Sequence, residues 1–207
     1  MIAVVDYGMG NLRSVEKALA RVGYAPRITR DVEVIRAASG VVLPGVGAFG
    51  ACMANLRRFD LVPVLQEVVD RGTPFLGICL GMQVLFEESD EFGPVAGLGV
   101  LRGRVRRFEG ADVADLRVPH MGWNALDRRL PVPQLEGVGE GAYVYFVHSY
   151  YVVPEDDAVV ATETDYGVRF ASSVCSRNVF GCQWHPEKSQ EVGLRVLANF
   201  GALATAG

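Results

Sequence analysis

The sequence predicts an α/β fold: a mixed, mostly parallel sheet with helices on both faces, built by residues 1–207 as one domain. Three observations predict it. Short apolar runs at 2–6, 40–44 and 74–78 lack polar alternation, the pattern of strands buried on both faces. The segments between them repeat apolar residues at helical spacing. From about residue 98 the pieces become shorter and strand-like, which suits antiparallel additions to the sheet. At roughly 150 residues per domain, 207 residues favour one domain over two.

The run IAVVD at 2–6 reads as a first strand. Leu12, Val15, Ala18, Leu19 and Val22 then keep a helix period that stops at Gly23. GVVLP at 40–44 reads as a second buried strand leading into a glycine-rich turn. Pro63 is expected to open a helix carrying Val64, Leu65, Val68 and Val69, closed by Gly72. PFLGI at 74–78 follows as a strand. Later strands are expected at Val144 to Val147, Tyr151 to Val153, Val159 to Thr162 and Val179 to Gln183. A last helix, roughly 189–204, turns Val192, Val196, Leu197, Phe200 and Leu203 to the core.

Half of the residues are apolar and 21% are charged, an ordinary balance for a folded chain. The net charge of -4 offers no positive field to a phosphate backbone, so no nucleic-acid partner is expected. Arg102, Arg104 and Arg106 alternate with Gly103 and Val105, as on the solvated face of a strand. No segment approaches the roughly 18 consecutive apolar residues of a membrane span. The four cysteines, Cys52, Cys79, Cys175 and Cys182, show no metal-ligand spacing and nothing resembles a cleavable signal, so free thiols in a reducing cytoplasm are expected, with no metal or cofactor.

The chemistry-bearing segment is PFLGICLGMQVLFEE. It reads as a buried strand passing through Gly77-Ile78-Cys79-Leu80-Gly81 into a helix containing Met82, Gln83, Leu85 and Phe86. A sharp strand-to-helix elbow exposes the residue at its apex and tolerates only small residues two positions either side. Both positions are glycine. The sulfur of Cys79 would meet the positive end of the helix, which favours a thiolate, and the Leu80 amide is placed to bind an oxyanion. Most free cysteines are small buried hydrophobes, and Cys52, Cys175 and Cys182 are read that way.

A cysteine nucleophile needs a proton acceptor, and the chain has three histidines: His120, His148 and His185. Only His185 has an acid close by. In His185-Pro186-Glu187 the proline restricts its predecessor to extended backbone, so the side chains two apart can share a side. Glu187 would orient one imidazole nitrogen while the other faces Cys79. His120 and His148 fit core or interface histidines satisfied by backbone. The loop Pro44-Gly45-Val46-Gly47-Ala48-Phe49-Gly50 follows a buried strand at its carboxyl end, where open α/β sheets build their sites. It fits a second oxyanion donor or a plain turn; it lacks the Lys and Ser/Thr of a phosphate loop.

Elbow, glycine loop and terminal HPE, in this order, resemble the class I glutamine amidotransferases over essentially the whole chain. DYGMGN at 6–11, PGVGAFG at 44–50, PHMGWN at 119–124 and HPEKS at 185–189 are similar to the glutaminase subunits of imidazole glycerol phosphate synthase. The resemblance implies that Cys79 attacks the side-chain amide of glutamine, His185 relays protons and Glu187 orients it. It puts glutamine contacts at Gly47, Gln83, Glu91, Ser149 and Tyr150, with the α-amino group near Glu91, and oxyanion donors at Val46, Gly47 and Leu80. It further implies a separate (β/α)8-barrel cyclase subunit that receives the ammonia, with Asn11, Met121, Trp123 and Lys188 facing it. A peptide near Val46 is expected to complete the oxyanion hole only on docking.

Three other readings fit the same residues. One is a glutaminase serving anthranilate or aminodeoxychorismate synthesis, which shares the triad. Another is a cysteine peptidase or esterase on the same elbow. The last is a non-catalytic subunit that keeps only the fold.

Overall fold

The computed structural model of the chain describes residues 1–206. Its first strand, β1 (Ile2–Val5), is flanked in parallel by β2 (Pro26–Thr29) and β3 (Gly40–Gly45), and β3 pairs in parallel with β4 (Phe75–Cys79). The strand Val179–Cys182 completes this parallel part on the far side of β4. It then pairs antiparallel with Val168–Ser176, and the sheet continues through Tyr150–Pro154 and Leu101–Arg107 as a twelve-stranded whole.

The predicted apolar runs form these strands because both faces need apolar residues. Ala3, Val5, Val41, Leu43 and Phe75 point to one core, and Ile2, Val4, Val42, Leu76 and Ile78 to the other. Helices α2 (Val32–Arg36), α3 (Phe49–Arg58) and α4 (Leu61–Asp70) cover the first face through Ile35, Leu56, Val64 and Val68. Helix α1 (Leu12–Arg21) covers the second through Val15 and Leu19, together with a C-terminal helix, Gln190–Thr205, through Val196, Leu197 and Phe200. Arg102, Arg104 and Arg106 line the exposed face of their strand, as the alternation predicts.

The structure departs from the expected elements at five places. Val179–Cys182, expected among the antiparallel additions, runs parallel to β4 and is buried on both faces. Helix α4 begins at Leu61, two residues before Pro63, which sits in its first turn where a missing amide hydrogen costs no helical bond. The helix after Cys79 is one turn, Leu80–Gln83, which we label α5. It ends there because a passing segment takes the next carbonyls: Leu98 donates to Val84 at 2.7 Å and Val100 to Leu85 at 2.9 Å. Phe86 then starts a strand, Phe86–Ser89. The predicted strand around Val144 forms outside the large sheet, as an antiparallel ribbon of Tyr143–His148 with His120–Ala125. In the last helix Leu203 is only half-buried, and Ala204 packs instead against Gly40, where an added Cβ would lie 2.6 Å from the Ala204 Cβ.

Candidate active site

Backbone register alone brings the candidate residues to one place. In the parallel pairing Gly45 lies opposite Cys79, and Cys182 lies opposite Ile78. The carboxyl ends of three adjacent strands therefore deliver the glycine loop, the cysteine, and the segment Gln183 to Glu187 to one edge of the sheet.

The elbow is enforced by close backbone packing. A Cβ at Gly81 would stand 1.8 Å from the Leu43 carbonyl oxygen, and one at Gly77 would stand 2.7 Å from that of Gly81. A Cβ at Gly45 would lie 2.8 Å from the Leu80 Cβ. Cys79 itself holds φ 55° and ψ -110°, a conformation that costs a non-glycine residue about 1–3 kcal/mol. Four helical residues carry little macrodipole, so the electrostatic support expected from a long helix reduces to the local amides that follow Cys79.

His185 Nδ1 lies 2.8 Å from Glu187 Oε1, and the two side chains are 2% and 1% exposed. His185 Nε2 is buried without a partner of hydrogen-bonding geometry. Burial alone would lower the pKa of His185, but the neighbouring Cys79 sulfur and the Glu187 carboxylate outweigh it and push it up to about 10. A buried ion pair adds little net stability, because desolvation offsets the attraction. Its persistence at a strand end beside Cys79 points to chemistry.

The serine of HPEKS has a structural part. Ser189 Oγ donates to the His185 carbonyl at 2.7 Å and accepts from the Tyr145 amide at 3.0 Å, while the His185 amide donates to the Tyr145 carbonyl. These bonds fasten the histidine to the ribbon.

A cavity of about 360 Å³ opens over Cys79, within the range of about 300–1,000 Å³ usual for small-molecule sites. Val46, Gly47, Leu80, Gln83, Glu91, Ser149, Tyr150 and His185 line it with Cys79. Glu187 lies behind His185. Pro119, Val147 and His148 also line the cavity and had no place in the sequence reading of the site.

Glu91 Oε2 accepts the Phe49 amide at 2.6 Å and so caps α3 from 42 positions away, which ties the cavity wall to the end of the glycine loop. Gly47 holds φ +96°, and a Cβ there would meet the Met9 Cε at 2.7 Å. Only glycine fits that turn.

Met121 and Trp123 stand on the outer face of the ribbon, 62% and 46% exposed, beside Tyr143 at 61%. Trp123 meets Tyr145 edge-on at 6.0 Å, and Lys188 Nζ lies 5.8 Å over the same Tyr145 ring. Tyr143 and Tyr145 thus extend a surface on which sequence singled out only three members. The alternation in YVYFV carried the signal. Asn11 is the N-cap residue of α1 yet makes no side-chain cap bond, and α1 packs against the Pro186–Lys188 turn.

Comparison with known proteins agrees with the fold. The family described as Glutamine amidotransferase class-I matches residues 3–203. A solved structure titled "Crystal structure of glutamine amidotransferase" superposes with a TM-score of 0.75 at 22% identity, covering 99% of both chains. "Structure of PurLQS from Thermotoga maritima" gives 0.71 at 20% identity, covering 98% of this chain and 96% of that one. The chain is thus a class I glutamine amidotransferase.

The relatives narrow this. "Imidazole glycerol phosphate synthase subunit HisH" of Syntrophotalea carbinolica is 54% identical over 97% of this chain and 99% of its own length. The protein of the same name from Moorella thermoacetica is 53% identical over 98% and 94%. The chain belongs to the family of HisH subunits of imidazole glycerol phosphate synthase.

Proposed function

We propose that this chain is the glutaminase of a two-subunit imidazole glycerol phosphate synthase in histidine biosynthesis, with Cys79, His185 and Glu187 as its catalytic triad. The observation that carries the assignment of residues is the shared edge of the sheet: Cys79 ends β4, and the segment after the neighbouring strand brings His185, backed by Glu187, to the same cavity.

Cys79 Sγ, its proton held by the charged His185 on Nε2, attacks as a thiolate the side-chain amide carbon of glutamine. The negative charge that develops on the amide oxygen is held by the Leu80 amide and by a donor from the Val46–Gly47 peptide. His185 then protonates the departing nitrogen, the C–N bond breaks, and ammonia leaves a γ-glutamyl thioester on Cys79. Water attacks that carbonyl as His185 takes its proton, the C–S bond breaks with the electron pair leaving on sulfur, and glutamate is released with the Cys79 thiolate and charged His185 restored.

Gln83, Glu91, Ser149 and Tyr150 fix the substrate around the sulfur, Glu91 taking its α-amino group. Glu187 holds the imidazole in place and favours its charged form.

The ammonia passes to a (β/α)8-barrel cyclase subunit, which forms imidazole glycerol phosphate and aminoimidazole carboxamide ribotide. The partner docks on Met121, Trp123, Lys188 and Asn11. Exposed Met and Trp beside a cation suit an interface anchor. Neither nucleic acid nor membrane is a partner in this reading, and the enzyme works in the cytoplasm; no helix among the described residues is long and apolar enough to cross a membrane.

Glutaminase assays of the chain alone, and with the cyclase and its ligand, test the reading. Activity is expected to be low alone and to rise on docking, as the Val46–Gly47 peptide completes the oxyanion hole. Full activity without the partner contradicts that switch.

A further inference from the structure

Two of the three histidines have no part in the triad chemistry, yet both are buried beside it. Strand pairing sets His120 directly opposite His148 in the ribbon. His120 Nδ1 and His148 Nε2 lie 2.9 Å apart, and His148 Nδ1 lies 2.8 Å from the Tyr150 carbonyl oxygen. A carbonyl only accepts, so His148 carries its proton on Nδ1. Its Nε2 must then accept from His120 Nδ1, which leaves His120 Nε2 to accept from Asn124 Nδ2 at 3.3 Å. Every donor direction is thereby fixed.

The chain continues beyond Tyr150. Gln83 Nε2 donates to the same Tyr150 carbonyl at 2.9 Å and to Gln183 Oε1 at 2.9 Å. Gln183 Nε2 donates to Cys79 Sγ at 3.5 Å. From these contacts we infer that His120, His148 and Gln183 are positioning residues of the glutaminase, which hold Gln83 and the Cys79 sulfur in place through one hydrogen-bonded chain starting on the ribbon. The inference deepens the proposed function and rests on Cys79 being the nucleophile.

Three further features support it. His120 is stacked between Phe146, at 4.7 Å, and Tyr166, at 4.0 Å, and Phe108 and Phe170 close edge-on around the pair. The rings therefore cannot rotate to other partners. Burial lowers the pKa of His120 to about 4 and that of His148 to about 3, so both stay neutral, as the donor directions require. On the same strand as His120, Met121 and Trp123 point outward. The proposed docking face and the nucleophile are thus two ends of one chain of contacts.

The test compares His148→Phe and His148→Asn with the parent chain, each in complex with the cyclase subunit saturated with its ligand. Phenylalanine keeps the ring and removes both bonds; asparagine restores the donor to the Tyr150 carbonyl. The readouts are kcat and KM for glutamine, synthesis supported by added ammonia, and the pH profile of Cys79 alkylation by iodoacetamide.

His148→Phe is expected to lower kcat about tenfold or more, the scale of one unmade buried hydrogen bond, with little change in KM. It should shift the alkylation profile and leave ammonia-supported synthesis intact; His148→Asn should regain most of the kcat. Parent-like kcat and alkylation in His148→Phe overturn the inference. If that variant does not fold, Gln183→Met decides at the last link of the chain: a shifted alkylation profile with lowered kcat supports it, and parent values overturn it. Should Cys79→Ala keep glutamine-dependent synthesis, the proposed function itself fails, whatever the histidine variants do.

Discussion

His185 and Glu187 are joined by a 2.8 Å hydrogen bond within a single turn, with both side chains removed from solvent. Two residues apart and separated by a proline, they form a local unit that the sheet then carries to Cys79. The carboxylate has one histidine partner, since Glu187 Oε2 is buried without another hydrogen bond among the described residues. Its charge therefore acts on the imidazole.

Replacing Glu187 by Gln keeps the shape and removes that charge. Glutamine-dependent kcat in the complex is expected to fall by about 10²–10⁴-fold, the scale seen when the acid of a nucleophile–base–acid triad is neutralised. The His185 pKa should fall from about 10 in the same variant, read by NMR titration of the ring. An unchanged titration would show that Glu187 does not set it.

The raised pKa of His185 has a consequence for stability. Its folded value, about 10, lies above the ordinary 6.5, so the folded state holds the proton more tightly. The stabilisation is complete below about pH 6.5 and is lost as pH rises toward 10. Urea unfolding of the parent and of His185→Gln should show a gap that narrows across that window. A gap independent of pH counts against a charged His185.

His120 and His148 behave in the opposite sense. Their folded values of about 4 and 3 lie below 6.5, so the stability they confer is present above pH 6.5 and drains as pH falls through the folded values. The slope reaches at most about 1.4 kcal/mol per pH unit for each group. Acid unfolding of His120→Phe should be shallower between pH 6.5 and 4 than that of the parent; equal slopes would contradict the assignment of neutral histidines.

The elbow glycines predict a contrast within one residue type. Gly81→Ala forces a Cβ to 1.8 Å from the Leu43 carbonyl, and backbone on both sides must move. A loss of more than about 3 kcal/mol, or failure to fold, is expected. Gly72 has φ +85° but nothing within 4 Å, so Gly72→Ala should cost only about 1–2 kcal/mol of backbone strain. Chemical denaturation of the two variants makes the comparison, and equal losses would mean the elbow is less tightly packed than the contacts indicate.

Much of this architecture is legible in the sequence, for stated reasons. Cys79 stands out because its elbow excludes side chains at Gly77 and Gly81, and that exclusion is written as glycine. His185 and Glu187 are legible because their relation is local. Strands β1, β3 and β4 announce themselves because both faces pack, which leaves unbroken apolar runs.

What the sequence does not disclose depends on distant parts of the chain. The one-turn length of α5 is set by the segment around Leu98 and Val100, whose amides intercept its carbonyls. The pairing of His120 with His148 follows from antiparallel register across 28 positions, and Glu91 caps α3 across 42. Helical periodicity in MQVLF reads as a longer helix because the competing hydrogen bonds come from elsewhere.

The proposed docking face makes its own prediction. Trp123→Ala should weaken binding of the cyclase subunit by about 2 kcal/mol or more, the scale of an interface anchor, while shifting the melting temperature of the free chain little. Calorimetric titration reads the first quantity and thermal unfolding the second. Unchanged affinity would place the partner on another face.

The most direct test of the central claim is synthesis by the complex carrying Cys79→Ala, assayed with glutamine and separately with ammonium salt. If Cys79 is the nucleophile, glutamine-dependent synthesis disappears while ammonia-dependent synthesis stays at the parent level. Retained glutamine-dependent synthesis in the Cys79→Ala complex would contradict the account.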